Sequence, residues 1–113
     1  MRAVVFGFLV AGLAMFFVVT PVSAHHAVGA KFDPTKPMTL KGLVTQIDWA
    51  NPHVHVFMKA QDASRAVWAI ELESVVDLMR SGWTRQSVRP GDAIKVQGIA
   101  ARDGSRQVWR LQH

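Results

Sequence analysis

The chain has 113 residues, a length that suits one domain with a modest core and is too short for two. The absence of cysteine excludes disulfide cross-links, thiol redox chemistry and cysteine metal ligands. The formal charge of +5 comes from basic residues scattered along the chain without a run of Lys or Arg, so it does not indicate a nucleic-acid-binding protein. A mild surplus of this kind favours attraction to an anionic membrane or cell-wall polymer.

Residues 1–24 have the pattern of a secretory signal peptide. Arg2 gives a short positive start, residues 3–19 are apolar apart from glycine, and Val22-Ser23-Ala24 supplies the small residues that a signal peptidase requires. Cleavage after Ala24 predicts a periplasmic or secreted protein that begins at His25 and keeps no stable membrane span. The alternative is a transmembrane anchor, because the apolar run is about long enough to cross a bilayer.

The next segment, residues 25–37, is predicted to be an extended N-terminal arm, because Pro34 and Pro37 disfavour helix in the residues before them. From Met38 the sequence changes to the two-residue period of a β-strand. Its apolar residues fall first on one face and then on the other. This change predicts a bend within the strand, and we expect Gly42 to provide it.

Four more strands are predicted, at residues 52–60, 66–73, 93–101 and 106–112. The strand at residues 66–73 should direct Trp68, Ile70 and Leu72 into the core. A short helix follows it, with Ser74 as the N-cap, Gly82 after its end, and an apolar stripe of Val75, Val76, Leu78 and Met79.

The predicted order of three strands, one helix and two strands is that of an OB-fold, a small five-stranded barrel. Residues 38–113 are therefore predicted to form a mainly β, OB-like barrel domain with the helix between strands three and four. The alternative is an open α+β sheet.

A series of short motifs is shared with a known family of proteins. These motifs are His25-His26-Ala27, Lys31-Phe32-Asp33, Leu40-Lys41-Gly42, Trp49-Ala50-Asn51-Pro52-His53, Trp68-Ala69-Ile70-Glu71-Leu72, Gly82-Trp83-Thr84 and Pro90-Gly91-Asp92. In this order they resemble an uncharacterised family of exported bacterial proteins, domain of unknown function 6152, over essentially all of residues 25–113. The resemblance implies an exported OB-like domain and implies no activity. The chain departs from the family pattern at His55, where a large aromatic or aliphatic residue is common.

Four histidines form two close pairs that indicate a metal site. His53 and His55 are two residues apart in a predicted strand, so their side chains share one face of the sheet. The predicted hairpin places Glu71 opposite His55 and Glu73 opposite His53. Imidazole and carboxylate groups bind copper and zinc, and cleavage before His25 would add a free amino group. The residues predicted to bind a transition metal are His25, His26, His53, His55 and Glu71.

Two other interpretations stay open. Opposed His and Glu residues on an exposed face also make ordinary cross-strand pairs without a metal. The alternative function is a protein- or envelope-interaction module that binds its partner through strand edges or the barrel mouth. The sequence has no recognisable pairing of nucleophile and base and no glycine-rich phosphate loop, so we expect no enzymatic activity. The expected partner is an envelope protein or a metal ion, and we expect a monomer.

Overall fold

The computed structural model describes the backbone of residues 22–111 and the side chains of residues 27–111. The predicted signal segment lies mostly outside these described residues. Helix α1, Val22–Lys31, belongs almost entirely to the first of two compact units, which divide between Ala30 and Lys31. The second unit contains strands β1 Phe32–Asp48, β2 His55–Ala60, β3 Val67–Glu71, helix α2 Val75–Arg80, and strands β4 Ala93–Ala101 and β5 Gln107–Arg110. Within residues 22–111, no helix has the length and apolar character to cross a membrane.

The five strands close into a ring in the order β1-β2-β3-β5-β4, and β4 pairs back onto β1. Every neighbouring pair is antiparallel except β3 and β5, which are parallel. Helix α2 connects β3 to β4, as the sequence predicted. The mainly β, OB-like architecture is therefore confirmed, and the closed ring excludes the open sheet.

The core lies inside this ring and is formed by aliphatic side chains from the strands, from residues that adjoin the strands, and from α2. It comprises Leu40, Val44, Val54, Val56, Met58, Ile70, Leu72, Leu78, Val96 and Val108. Ile70 and Leu72 are buried as predicted, whereas Trp68 is half-buried and packs against the core from its edge. The strand alternation in the sequence therefore identified the inward face correctly.

Helix α2 has the predicted N-cap, because the Ser74 side chain accepts a hydrogen bond from the Asp77 backbone N–H. Its apolar stripe is narrower than predicted. Leu78 is fully buried and Val75 packs against the core, but the predicted inward positions of Val76 and Met79 are wrong, since they are 50% and 59% exposed. A helix of six residues presents one narrow face, and residues three apart share it while their neighbours turn away.

The start of the barrel differs from the predicted extended arm. Residues 25–31 belong to helix α1, and extended backbone begins at Phe32, six residues before the predicted first strand. The physical reason is that a proline restricts only the residue before it. Asp33 and Lys36 precede the two prolines and both lie in β1, whereas residues 22–31 contain no proline.

The bend in β1 is real but lies at a different residue from the predicted Gly42. The register with β2 shifts between Val44 and Gln46, and this extra residue moves the following side chains to the other face. Gly42 has a separate role, because a Cβ there would lie 2.1 Å from the carbonyl oxygen of Lys59. Only glycine allows β1 and β2 to approach this closely.

Candidate functional site

The carboxylate of Glu71, at the end of β3, lies close to nitrogen atoms of three other side chains. Lys31 Nζ and His55 Nε2 each lie 3.0 Å from Glu71 Oε1, and His53 Nδ1 lies 3.3 Å from Oε2. The Glu71 side chain is only 10% exposed, whereas those of His53, His55 and Lys31 are 21%, 29% and 41% exposed. We call these four residues the Glu71 cluster.

Strand pairing positions the histidine side of the cluster. His55 lies directly opposite Glu71 in the β2–β3 register, as the sequence predicted. His53 precedes β2 in a segment that still runs beside β3, because Leu72 N donates to Val54 O and Val54 N donates to Glu73 O. The two histidines therefore approach the two oxygens of one carboxylate from the same strand edge.

The side chain of Glu73 forms a salt bridge with Arg110, a residue that the sequence did not indicate. The prediction placed it opposite His53, but the Arg110 guanidinium takes both Glu73 oxygens at 3.0 and 3.3 Å. The His53 ring instead packs edge-on against Trp109, with ring centroids 5.3 Å apart. The ring that packs against Trp109 has its Nδ1 facing Glu71.

Lys31 is the member of the cluster that sequence reasoning missed. It is 40 residues from Glu71 in the chain and lies in the segment predicted as an arm, so neither spacing nor strand register relates the two. Its ammonium also lies over the Phe32 ring, 5.3 Å from the ring centroid. The closed ring brings the start of β1 to the end of β3, and only this topology explains the contact.

The surroundings of Glu71 keep its carboxylate ionised. Burial raises the pKa of Glu71 and is the largest single influence, but the hydrogen bonds from Lys31 and His55 and the charges of both residues outweigh it. The net result is a pKa below the ordinary value of 4.5. Glu71 therefore supplies the cluster with a partly buried negative charge at neutral pH.

The arrangement joins ligand types that transition metals prefer, but a lysine ammonium now occupies one carboxylate oxygen. Among residues 27–111, no group of three or more His, Cys, Asp or Glu side chains is placed to hold a metal ion as the side chains now lie. The side chains of His25 and His26 lie outside the described residues, so their predicted part in a metal site stays a prediction. The cluster as described is an ion-pair network with its histidines partly open to solvent.

Comparison with known proteins gives one match. The model of a family described as "Family of unknown function (DUF6152)" matches residues 14–110. This confirms the resemblance that the short motifs predicted. No curated protein and no solved structure matches the chain.

Proposed function

Because the chain belongs to DUF6152, a family of unknown function, we propose a function from the geometry of the Glu71 cluster. The proposal is a small exported domain that binds one Cu(II) or Zn(II) ion through His53, His55 and Glu71 and catalyses no reaction. The observation that supports it is the approach of two partly exposed imidazole nitrogens to the two oxygens of one ionised carboxylate.

The distances between these nitrogen and oxygen atoms suit a shared ion. Two ligands that each lie about 2.0–2.1 Å from one tetrahedral ion are about 3.3 Å apart. The His55 Nε2–Glu71 Oε1 and His53 Nδ1–Glu71 Oε2 distances are 3.0 and 3.3 Å. Since the two histidines contact different oxygens of Glu71, their side chains must rotate toward each other before all three residues can bind one ion.

Lys31 must leave Glu71 for the ion to bind. Its ammonium is a cation already held at Oε1, and it would repel a divalent ion at this short range. The Lys31 side chain is 41% exposed, so it can turn into solvent without leaving a buried charge. Lys31→Met should therefore tighten metal binding, because it removes both the competitor and the repulsion.

Export and the absence of catalysis are parts of the same proposal. Export is supported by the apolar run and the small residues before His25. The absence of catalysis is supported by the lack of a recognisable pairing of nucleophile and base in the sequence. The metal affinity should fall in acid, because protons compete with the metal for the ligand atoms.

Titration calorimetry with Cu(II) and with Zn(II) tests the proposal on the protein released from an exporting bacterial host. We expect one ion per chain at micromolar affinity, and at least a tenfold loss in His53→Ala, His55→Ala and Glu71→Gln. Glu73→Gln is the matched control, because Glu73 lies two residues away and pairs with Arg110 instead of histidine. It should bind metal like the wild type.

Circular dichroism on each variant confirms that the barrel is folded. Absence of binding at micromolar metal in the wild type would contradict the proposal. An equal loss of metal affinity in Glu71→Gln and Glu73→Gln would also contradict the proposal, because the loss would then follow from the removal of any negative charge. Either result would replace the metal site with an interaction module that needs no metal.

A further inference from the structure

A second surface of the barrel, which shares no residue with the Glu71 cluster, concentrates positive charge. A groove of about 800 Å³ lies over β1, β2 and β4 and is bordered by the turn that joins β2 to β3. Its basic side chains are Lys41, Lys59, Arg65 and Lys95. We call this surface the basic groove.

The strand register places like charges side by side in this groove. Lys41 on β1 lies directly opposite Lys95 on β4, in positions whose side chains point away from the core. Like charges directly opposite each other destabilise a sheet. The pair therefore weakens the fold, and a ligand of negative charge is the partner that would offset it.

The basic residues of the groove form no salt bridges in the described part of the chain. Among the described side chains, the ion pairs involve Lys31, His53, His55, Arg80 and Arg110, and none involves the four basic residues of the groove. Asp62 also lines the groove, and its carboxylate keeps its negative charge while it accepts hydrogen bonds from the backbone N–H and hydroxyl of Ser64. Four basic side chains and one carboxylate therefore leave the groove with a net positive charge that faces solvent.

Two large apolar side chains lie beside these cations. Leu43 and Val67 are 53% and 52% exposed. Lys59 on β2 lies opposite Leu43 on β1 and opposite Val67 on β3, so the three residues form a row across three strands. A small soluble anion would bind the cations without contacting the exposed leucine and valine. A phospholipid bilayer can bind both, because its phosphates bind the cations and its acyl chains bury the apolar side chains.

We propose that the basic groove docks the domain on an anionic phospholipid bilayer. Lys41, Lys59 and Lys95 bind lipid phosphates, and Leu43 and Val67 enter the boundary between head groups and acyl chains. Each Lys or Arg close to an anionic membrane contributes about a fivefold increase in binding at moderate salt. Removal of two lysines should therefore weaken binding about 25-fold. The inference is independent of the metal site, because no residue is shared between the two surfaces.

Vesicle co-sedimentation tests this docking with the soluble protein released from an exporting host. Vesicles of phosphatidylglycerol and phosphatidylcholine should bind it, vesicles of phosphatidylcholine alone should not, and 0.5 M salt should release it. The affinity of Lys41→Ala/Lys95→Ala for the anionic vesicles should be about 25-fold lower than that of the wild type. Leu43→Ser, which keeps every charge, should also weaken binding.

The matched control is Lys36→Ala/Arg85→Ala, which removes the same charge from exposed positions that do not line the groove. It should bind like the wild type. Equal binding to both kinds of vesicle, or an equal loss in the control and the groove variant, would overturn the proposal. A thermal melt separates this result from misfolding, since Lys41→Ala/Lys95→Ala should be as stable as the wild type or more stable.

Discussion

Replacement of Leu78 by alanine should destabilise the domain by about 2–5 kcal/mol. Leu78 is fully buried in the core and is the only residue of α2 that is fully enclosed. The substitution removes its packing contacts and leaves a cavity that the rigid ring of strands cannot collapse to fill. The melting temperature of a small domain falls by roughly 4–8 °C per kcal/mol, so a loss of about 3 kcal/mol should lower it by roughly 12–24 °C.

Met79→Ala is the internal control for this prediction. Met79 is the next residue of the same helix and is 59% exposed, so its truncation should change the stability by less than about 0.5 kcal/mol. Urea unfolding followed by circular dichroism gives both free energies with a common m-value. Equal destabilisation by the two variants, or an unchanged stability in Leu78→Ala, would refute the burial of Leu78 on the inward face of α2.

Three further predictions concern the backbone, the Glu71 cluster and the helix cap. Gly42→Ala should destabilise by about 1–3 kcal/mol or more in urea unfolding, because the new Cβ meets the Lys59 carbonyl oxygen. Because the pKa of Glu71 is lowered in the folded state, its carboxylate stabilises the fold at pH values above the ordinary pKa of 4.5. This stabilisation is lost as the pH falls through the lower folded-state pKa. Unfolding titrations from pH 7 to pH 3 should therefore show the difference in stability between the wild type and Glu71→Gln disappear. Ser74→Ala should cost about 1 kcal/mol by the same assay, and Ser74→Asp should cost less, since aspartate also accepts the bond from the Asp77 N–H.

The parts of the structure that follow local rules were predictable from the sequence. Alternation of apolar residues identified the strands, and Ser74 with Gly82 marked the two ends of α2. A short turn between β2 and β3 fixes the register, so His55 was correctly placed opposite Glu71. Each of these features depends on residues that are near one another in the chain.

The remaining features depend on contacts between distant segments. Lys31 reaches Glu71 only because the ring closes, and Glu73 takes Arg110 because the parallel pair β3–β5 brings them together. The bulge after Val44 replaces the bend expected at Gly42, because the close approach to Lys59, and not flexibility, requires the glycine. Local sequence patterns contain no information on such distances.

Native mass spectrometry tests the proposed function most directly, because a single spectrum reports both the N-terminus and the bound ion. After one equivalent of Cu(II) or Zn(II), we expect a chain that begins at His25 and carries one metal ion. The Glu71→Gln chain should be free of metal under the same conditions, and the Glu73→Gln chain should retain it. A metal-free wild-type chain, or an ion that Glu71→Gln retains, would contradict metal binding at the Glu71 cluster.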